Sequence, residues 1–510
     1  MTTDQARLYR LTRPDGLGFF RRHSVTQFAL GCLAIGLGLI ATVVNVIGIP
    51  SRIGLGVVGL AVLVLSVGRT PAGEDLLDVI RPTSRFLWRH LRHRDQWAAL
   101  LVPFRGDALP PLFAGITLVD LEPAQARSSC LGRTGLIVDR ADGSVSVVLR
   151  VHGEGFLLHD PQVQDDRVAS FGACLASLAR AESHVTRVAW SQFVAPATHD
   201  DHLGYLQATQ RDEPDVLMRD AYHDLLDETL FSARTSEVLI TLSASLADVR
   251  PTVERRDGHR RRASNQERLV TGARQLIDET ELFVTELQNA GLVSSGPLPA
   301  GAIARALRER LDPGTRSSLS RRGRTLVDVL GLVTPDNGFP LCIEEHARSV
   351  RTDDCWHRLL RVAEWPRSAV QADWLANFLC EREVTRSFTV IFTPQSRRLA
   401  RRQALAVATR VGANIDERET KGRRVGAEER RAQFAAEALD EELEGGAEME
   451  LVLGLVDVCA TDEAELELAS ERTRQLAADV GLELRNVELR QGEALLVSLP
   501  MGRIVLGRAK

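Results

Sequence analysis

Lysine is nearly absent from this chain of 510 residues: Lys421 and Lys510 are the only two among 63 basic residues, and arginine supplies the rest. A phosphate-binding loop places a lysine directly after a glycine-rich turn, and neither lysine occupies such a position. The G-x-S-x-G motif that displays a nucleophilic serine is missing as well. These absences exclude the best-marked routes to phosphoryl and acyl transfer. We therefore predict that the protein is not an enzyme and has neither catalytic residues nor a cofactor.

The cysteines do not form a metal-binding or disulfide pattern. There are seven, an odd number, and none forms a C-x-x-C pair, which is typical of reduced thiols. Other residues of metal-ligand type occur in three short groups beside residues typical of loops, where solvated polar side chains explain them. We therefore predict no metal site. The three groups are His199 to His202, Glu344 to His346, and Asp353, Asp354, Cys355 and His357.

Charged residues are almost missing between His23 and Arg69, where Arg52 stands alone. An uncharged apolar stretch of about 20 residues can cross a bilayer as a helix. The run at 24–51 meets this length, whereas the run at 53–68 is short for the purpose. The two runs together predict a transmembrane helical hairpin. Its predicted turn consists of Pro50, Ser51 and Arg52.

Small residues let membrane helices approach each other closely, and we assign this packing role to six glycines of the two runs. They are Gly31, Gly36, Gly38, Gly54, Gly56 and Gly59. Arginines are concentrated before the first run and after the second. Because positive charge favours the cytoplasmic side, the sequence predicts a cytoplasmic-membrane protein with two spans and with both termini in the cytoplasm.

The formal charge is distributed unevenly along the chain. Residues 1–100 carry twelve arginines against six acidic residues, a net charge of +6, so the remaining residues carry −11 of the total of −5. A mildly acidic body argues against a dedicated surface for nucleic acid. We therefore expect no direct nucleic-acid binding as the main activity.

Apolar periodicity beyond the hairpin predicts strands and long helices in two cycles. Strands at 136–139 and 144–151 flank Asp142-Gly143, a strong β-hairpin signal. A helix at 263–289 ends before Gly291, a residue type common at helix C-termini, and the last strand covers 482–489. Long helices and hairpin-type strands predict an α+β fold of two sandwich-like cytoplasmic domains with mainly antiparallel sheets. The predicted segments are a basic N-terminus (1–23), the hairpin (24–69), a juxtamembrane linker (70–110) and two α+β domains (111–330 and 331–510).

The densest basic segment lies between a predicted strand and the helix at 263–289, so we interpret it as a surface loop. Three roles remain open for it: a solvated loop, contact with anionic lipid or an acidic partner surface, and nucleic-acid binding. No aromatic residues are interleaved to stack on bases, which disfavours the last of these. The candidate contact residues are Arg255, Arg256, Arg260, Arg261 and Arg262.

Nine short motifs carry a resemblance through their order along the chain. They are Tyr9–Arg13 (YRLTR), Gly16–Gly18, Gly135–Arg140 (GLIVDR), Val148–Gly153 (VLRVHG), Val185–Trp190 (VTRVAW), Glu237–Ser243 (EVLITLS), Ala290–Leu292, Ala363–Pro366 (AEWP) and Trp374–Leu375. Together with the double apolar run, they resemble a family of actinobacterial membrane proteins encoded with conjugative elements. That family combines a PrgI-like membrane hairpin with a domain similar to the N-terminal, non-ATPase part of the type IV secretion traffic ATPase.

The resemblance implies a membrane-anchored structural component of a bacterial secretion or conjugative DNA-transfer apparatus that positions or recruits a separate cytoplasmic ATPase. The implied partners are this ATPase, other membrane components of the apparatus, the lipid bilayer and further copies of the chain. No catalytic residues are carried over with the resemblance. Two alternatives remain: an EccE-type core component of type VII secretion, and a membrane-bound enzyme that processes nucleotides or lipids.

Overall fold

A computed structural model describes most of the chain beyond residue 110. The described residues are 9, 58–60, 62, 76–92, 95–98, 110–121, 134–153, 155–180, 183–196, 217, 218, 220–222, 224, 225, 234–249, 264–315, 338–366, 368–394, 409, 420 and 449–504. Most of the two apolar runs, including the predicted turn Pro50–Arg52, lies outside these residues. The predicted domain boundary at 330/331 lies outside them as well.

The membrane localisation predicted from the two apolar runs is corrected by the structure. Among the described residues, no helix is both long enough and apolar enough to cross a membrane. The helix α1 (Leu76–Leu91), which begins shortly after the second run, contains Arg81, Arg85 and Arg89. A membrane span requires about 20 apolar residues in one helix, and no described helix has them, which conflicts with the predicted two-span membrane protein.

The described strands number thirteen and form one sheet in which every pair is antiparallel. The strands are β1 (Gln96–Ala98), β2 (Ile116–Leu121), β3 (Thr134–Asp139), β4 (Ser144–Gly153), β5 (Val185–Pro196), β6 (Arg234–Ser245), β7 (Leu292–Pro297), β8 (Cys342–Glu345), β9 (Val350–Thr352), β10 (Cys355–Glu364), β11 (Arg386–Pro394), β12 (Met449–Ala460) and β13 (Glu483–Asn486). The helices after α1 are α2 (Pro161–Ser177), α3 (Asn265–Asn289), α4 (Ala300–Leu311), α5 (Ala376–Cys380), α6 (Glu463–Asp479) and α7 (Gln491–Ser498).

The same topology occurs twice in succession. In the first half, β2, β3 and β4 are followed by α2, β5, β6, α3, β7 and α4; in the second half, β8, β9 and β10 are followed by α5, β11, β12, α6, β13 and α7. The strand order is also the same, β2-β3-β4-β6-β5 in one half and β8-β9-β10-β12-β11 in the other, with β7 on β4 and β13 on β10. Pairing of β5 with β11 joins the two halves into a single sheet.

Helices cover both faces of this sheet. Successive side chains of a strand point to opposite faces, so one set of apolar residues, including Val148, Leu239 and Leu359, packs with α4 and α7. The alternate residues on the opposite face pack with α2 and α3 in the first half. In the second half they pack with α5 and α6. The result is three layers, with the sheet in the middle.

The structure confirms the predicted α+β class with a mainly antiparallel sheet. The predicted hairpin joins β3 to β4, and its Gly143 has a positive φ of 66°. The long helix α3 begins with a capping box of Ser264 and Glu267 and ends before Gly291, whose φ is 76°. Two features differ from expectation: the two expected sandwiches share one sheet, and the last strand ends at Asn486, after which α7 follows.

Gly135 on β3 allows the backbone of the β7–α4 connection to lie directly against the strand. Its N–H donates to the Leu298 carbonyl at 2.8 Å. A Cβ atom at this position would lie 2.6 Å from the Pro299 carbonyl carbon and 2.8 Å from Ala300 Cα. Because both neighbours are backbone atoms, the connection must move to accept even a methyl group.

We expect Gly135→Ala to destabilise the protein by about 1–3 kcal/mol through this overpacking. The matched control is Gly172→Ala in α2, where a Cβ atom would meet nothing within 4 Å. Alanine there should stabilise the helix by up to about 1 kcal/mol. Urea unfolding followed by tryptophan fluorescence measures both changes. Equal unfolding midpoints for Gly135→Ala and the unaltered chain would contradict the packing described above.

Candidate functional site

Four side chains of chemically reactive type meet on the sheet face that α4 covers. Cys355 and His357 lie on β10, whereas Asp457 and Cys459 lie on β12. In the antiparallel register, His357 is opposite Cys459 and Leu359 is opposite Asp457. Because residues two apart share a face of a strand, all four side chains point the same way. We call these four residues the β10–β12 cluster.

The β10–β12 cluster is enclosed within the protein. His357 is completely buried, and the exposed fractions of Asp457, Cys459 and Cys355 are 1%, 4% and 6%. The cover includes the C-terminal end of α4, whose last residue, Leu311, directs its carbonyl group at the His357 ring. Although α4 follows β7 in the first half, it therefore ends over the second half.

Hydrogen bonds fix the orientation of the His357 ring. Its Nε2 lies 2.9 Å from the Leu311 carbonyl oxygen and 2.8 Å from Thr352 Oγ1, and the Thr352 hydroxyl donates to the same carbonyl at 2.6 Å. A carbonyl oxygen only accepts hydrogen bonds, and the Thr352 hydroxyl has its hydrogen on that carbonyl. We therefore assign a hydrogen to Nε2, which directs Nδ1 towards the rest of the cluster.

Around Nδ1 lie the other donor atoms. Both carboxylate oxygens of Asp457 are 3.2 Å away, and Cys459 Sγ is 3.4 Å away. The ligand atoms of Cys355, His357 and Cys459 all lie within 4.8 Å of one another. Two thiols, an imidazole and a carboxylate are all donor types that zinc accepts.

Electrostatic interactions in the cluster favour a negatively charged Cys355 and a positively charged His357. Hydrogen bonding from Cys459 lowers the pKa of the Cys355 thiol to about 6, against the opposing effect of burial. Burial disfavours a charged His357, but the Asp457 carboxylate and the Cys355 thiolate outweigh it and hold the His357 pKa well above its usual 6.5. The pKa of Cys459 is raised, first by its hydrogen bond to Cys355 and then by burial.

A second buried charged group lies beside the cluster. Arg310 of α4 is completely buried, and its Nη1 donates to Glu237 Oε2 on β6 at 2.8 Å. Arg150 on β4 pairs with the other oxygen of Glu237 at 2.7 Å. The Arg310 guanidinium also lies 4.9 Å from the centre of the Phe193 ring. Its Nε and Nη2 atoms have no hydrogen-bond partner among the described residues.

The first half of the fold carries only hydroxyl groups at the positions that correspond to the cluster. Ser146 pairs with Ser243 across β4 and β6 just as His357 pairs with Cys459, and Thr241 corresponds to Asp457. The two serine hydroxyls are 2.8 Å apart, and Ser146 Oγ donates to the Met501 carbonyl at 3.2 Å. The Met501 carbonyl comes shortly after the end of α7, and the Leu311 carbonyl belongs to the last residue of α4. Each half of the fold therefore has a polar pocket at the corresponding position, with different side chains.

The described residues of the metal-ligand groups identified in the sequence differ in their burial and in their position in the fold. The interpretation of Cys355 and His357 as solvated loop residues is wrong, because both are buried on β10. Asp353, in contrast, does lie in a turn, where its Oδ1 accepts from the Leu341 and Cys342 amides. Glu344 and His346 are partly exposed at 30% and 44% of their side chains. The group His199 to His202 lies outside the described residues.

The other candidate residues fall mostly outside the described part of the chain. Gly59 is the only one of the six packing glycines within it, and it is helical and buried. The remaining five glycines, the turn Pro50, Ser51 and Arg52, and the arginines of the basic segment all lie outside. Their assigned roles remain predictions.

Sequence reasoning missed Asp457 and Cys459 as partners of Cys355 and His357. The signal that could have found them is the pair of patterns Cys-x-His and Asp-x-Cys within two apolar strand segments. Each pattern puts two polar donors on one face of a strand that is otherwise buried. Only the pairing of β10 with β12 shows that the two faces coincide.

Acid should weaken the Arg310–Glu237–Arg150 contact. Burial raises the pKa of Glu237, but the charges of Arg310 and Arg150 more than compensate, so the net shift is below the usual 4.5. A carboxylate whose folded pKa is lowered contributes stability above its unfolded pKa and loses it as the pH falls through the folded pKa. We therefore expect this contribution to be constant near neutral pH and to decline below pH 4.5.

Glu237→Ala should destabilise the protein by about 3–5 kcal/mol at pH 7, because it leaves a buried guanidinium without its carboxylate. The free energy of unfolding of this variant should also depend less on pH below 4.5. Glu483→Ala is the control: it removes a partly exposed pair with Arg485 and should cost less than about 1 kcal/mol. Equal losses for both variants would contradict a stabilising role of the buried contact.

Comparison with known proteins adds no relative to this geometry: no protein-family model matches the chain, and no curated protein matches it at a significant level.

Proposed function

We propose that this chain is a structural, non-catalytic component of a bacterial secretion or conjugative DNA-transfer apparatus and that it positions a separate ATPase. The proposal comes from the order of the motifs that resemble the conjugation-associated family. Because the sequence contains no phosphate-binding loop, the motor that the proposal requires is another protein. The proposal concerns the body of the chain and makes no use of a membrane anchor.

The observation that carries the proposal is the position of the resembling motifs in the fold. Four of them fall on successive strands of the first half: Gly135–Arg140 on β3, Val148–Gly153 on β4, Val185–Trp190 on β5 and Glu237–Ser243 on β6. These strands are direct neighbours in the order β3-β4-β6-β5. The four motifs thus lie on neighbouring strands of one half of the sheet, which supports the proposal of a shared domain.

A contact of the N-terminal motif gives further support. The Tyr9 amide donates to the Val370 carbonyl at 2.8 Å, and the Val370 amide donates back to the Tyr9 carbonyl at 2.9 Å. The Tyr9 hydroxyl donates to Asp165 Oδ1 on α2 at 3.0 Å. Tyr9, the first residue of this motif, is thus bonded to a segment of each half of the fold. Its partner Val370 lies shortly after the later motif Ala363–Pro366.

The architecture suits a platform. A sheet that lies between two layers of helices is closely packed on both faces, and its central strands are also held by a neighbour on each side. Contiguous patches of exposed apolar side chains mark contacts for a protein partner. Among the described residues, Leu158 is the most exposed apolar side chain, with 90% of its surface accessible, and Leu157 and Val163 nearby in sequence are exposed as well.

We expect affinity capture of the full chain from its own cells, at natural abundance, to recover an ATPase that carries a phosphate-binding loop, in a fixed ratio. Mass spectrometry identifies the protein and its stoichiometry. Recovery of the chain as a single monomeric species without an ATPase would contradict the proposal.

Two matched variants locate the contact. Leu158→Asp introduces charge inside the stretch covered by the resemblance, whereas Leu468→Asp introduces the same charge on α6, beyond that stretch, at a residue that is 74% exposed. We expect Leu158→Asp to reduce recovery of the ATPase at least fivefold and Leu468→Asp to leave it unchanged. The reverse pattern would contradict a contact through the resembling part.

A further inference from the structure

We propose that Cys355, His357, Asp457 and Cys459 bind one zinc ion, in a closed structural site between β10 and β12 beneath the end of α4. This inference is independent of the proposed function. It assigns a metal to a cluster for which the sequence predicted none.

The distances around His357 Nδ1 fit the edges of a zinc tetrahedron. With zinc bonds of about 2.05 Å to nitrogen and oxygen and about 2.3 Å to sulfur, the expected edges are about 3.3 Å for nitrogen to oxygen and about 3.6 Å for nitrogen to sulfur. The structure has 3.2 Å to Asp457 and 3.4 Å to Cys459. Both of these edges are slightly shorter than the ideal ones. Cys355, His357 and Cys459 form a group of three ligand atoms within 4.8 Å of one another, and Asp457 lies next to Nδ1 outside that group, so binding requires Cys355 and Asp457 to move towards each other.

The same distances are longer than those of a strong direct ion pair. A charge-assisted hydrogen bond between an imidazolium and a carboxylate is typically about 2.7–2.9 Å long. Nδ1 instead lies 3.2 Å from both oxygens of Asp457, with neither preferred. A ring held at equal distance from two oxygens and close to a sulfur atom is arranged around a shared point rather than towards a single acceptor.

The surroundings already orient the ring as a metal ligand. A histidine that binds zinc through one nitrogen usually donates its other N–H to a carbonyl or carboxylate group, which fixes the tautomer. Here Nε2 meets the Leu311 carbonyl and Thr352 Oγ1, at 2.9 and 2.8 Å. Nδ1 is therefore the nitrogen that is directed at the sulfur and carboxylate donors.

The backbone holds the four ligands in place before any metal binds. Six consecutive residue pairs, from Trp356↔Ala460 to Arg361↔Leu455, define the register of β10 against β12. His357 and Cys459 form one of these pairs. A site built on two paired strands needs little rearrangement, so a large part of the entropic cost of assembling the ligands is already met by the fold.

The first half of the fold provides an internal comparison. At the corresponding positions lie Ser146, Ser243 and Thr241. The two serine hydroxyls bond to each other, Ser146 also donates to the Met501 carbonyl beyond α7, and the buried Thr241 hydroxyl has no hydrogen-bond partner among the described residues. The fold therefore needs only small hydroxyl groups there. Two thiols, an imidazole and a carboxylate in the second half exceed that need, and they are the donor types of a zinc site.

Charge balance is also favourable. Two thiolates and one carboxylate carry three negative charges, so a divalent ion leaves one negative charge on the site. The buried Arg310 guanidinium of the adjacent helix α4 acts electrostatically on Cys459, and its direct partner is Glu237. Because every ligand is almost fully enclosed, no position is open to substrate, as in structural rather than catalytic zinc sites.

The test uses the full chain, purified without a metal-affinity step and under reducing conditions. Elemental analysis should give one zinc ion per chain, and removal of zinc by a strong chelator should lower the thermal unfolding midpoint. Cobalt(II) titrated into the metal-free chain should produce the visible absorption bands of a tetrahedral site with thiolate ligands. Absence of both bound zinc and these cobalt bands would overturn the proposal, whatever the variants do.

Variants separate this site from general thiol binding. Cys459→Ser should reduce zinc affinity at least 100-fold, and Asp457→Asn should reduce it at least tenfold. The matched control is Cys174→Ser, since Cys174 is also a buried free cysteine but lies on α2; it should retain one zinc ion per chain. Unchanged zinc content in Cys459→Ser would refute the zinc site.

Discussion

The pairing of β5 with β11 is the contact on which the architecture depends. Seven consecutive residue pairs, from Arg386↔Val194 to Phe392↔Val188, join two halves of identical topology into one antiparallel sheet. The core beneath α4 and α7 exists only because of this junction, since it contains residues of both halves, such as Val148 and Leu359. Without it, each helix would cover half of a sheet and leave its far end in water.

The ends of helices α4 and α7 contact polar side chains of the sheet. The carbonyl at the end of α4 meets His357 in the second half, and the carbonyl that follows α7 meets Ser146 in the first. The last carbonyls of a helix have no partner within the helix. The Leu311 carbonyl of α4 finds its partners in the second half, whereas the Ser498 carbonyl that ends α7 accepts from Thr389 Oγ1 on β11. Buried polar side chains of the sheet thus lie close to the ends of these helices. In the second half, these side chains are of metal-ligand type.

Local patterns in the sequence predicted local structure well. The Asp142-Gly143 turn and the glycine after the long helix depend on a few neighbouring residues, and both are confirmed. The β10–β12 cluster was not predictable in the same way. Its residues on β10 and those on β12 are about a hundred residues apart in sequence and meet only through strand pairing. The acidic pair Asp353-Asp354 immediately before Cys355 also favoured a loop, although the chain enters a buried strand one residue later. Low charge in the N-terminal runs predicted membrane helices, a conclusion that the described helices contradict.

The late arrival of β11 during synthesis has a consequence for how the chain folds. Strand β5 is complete at Pro196, but its partner begins only at Arg386. Until then the first half presents the free edge of a twelve-residue strand, with a row of backbone amides and carbonyls open to any other extended peptide. Such edges are templates for aggregation. The first half of the nascent chain therefore stays open to pairing with other chains until β11 is synthesised.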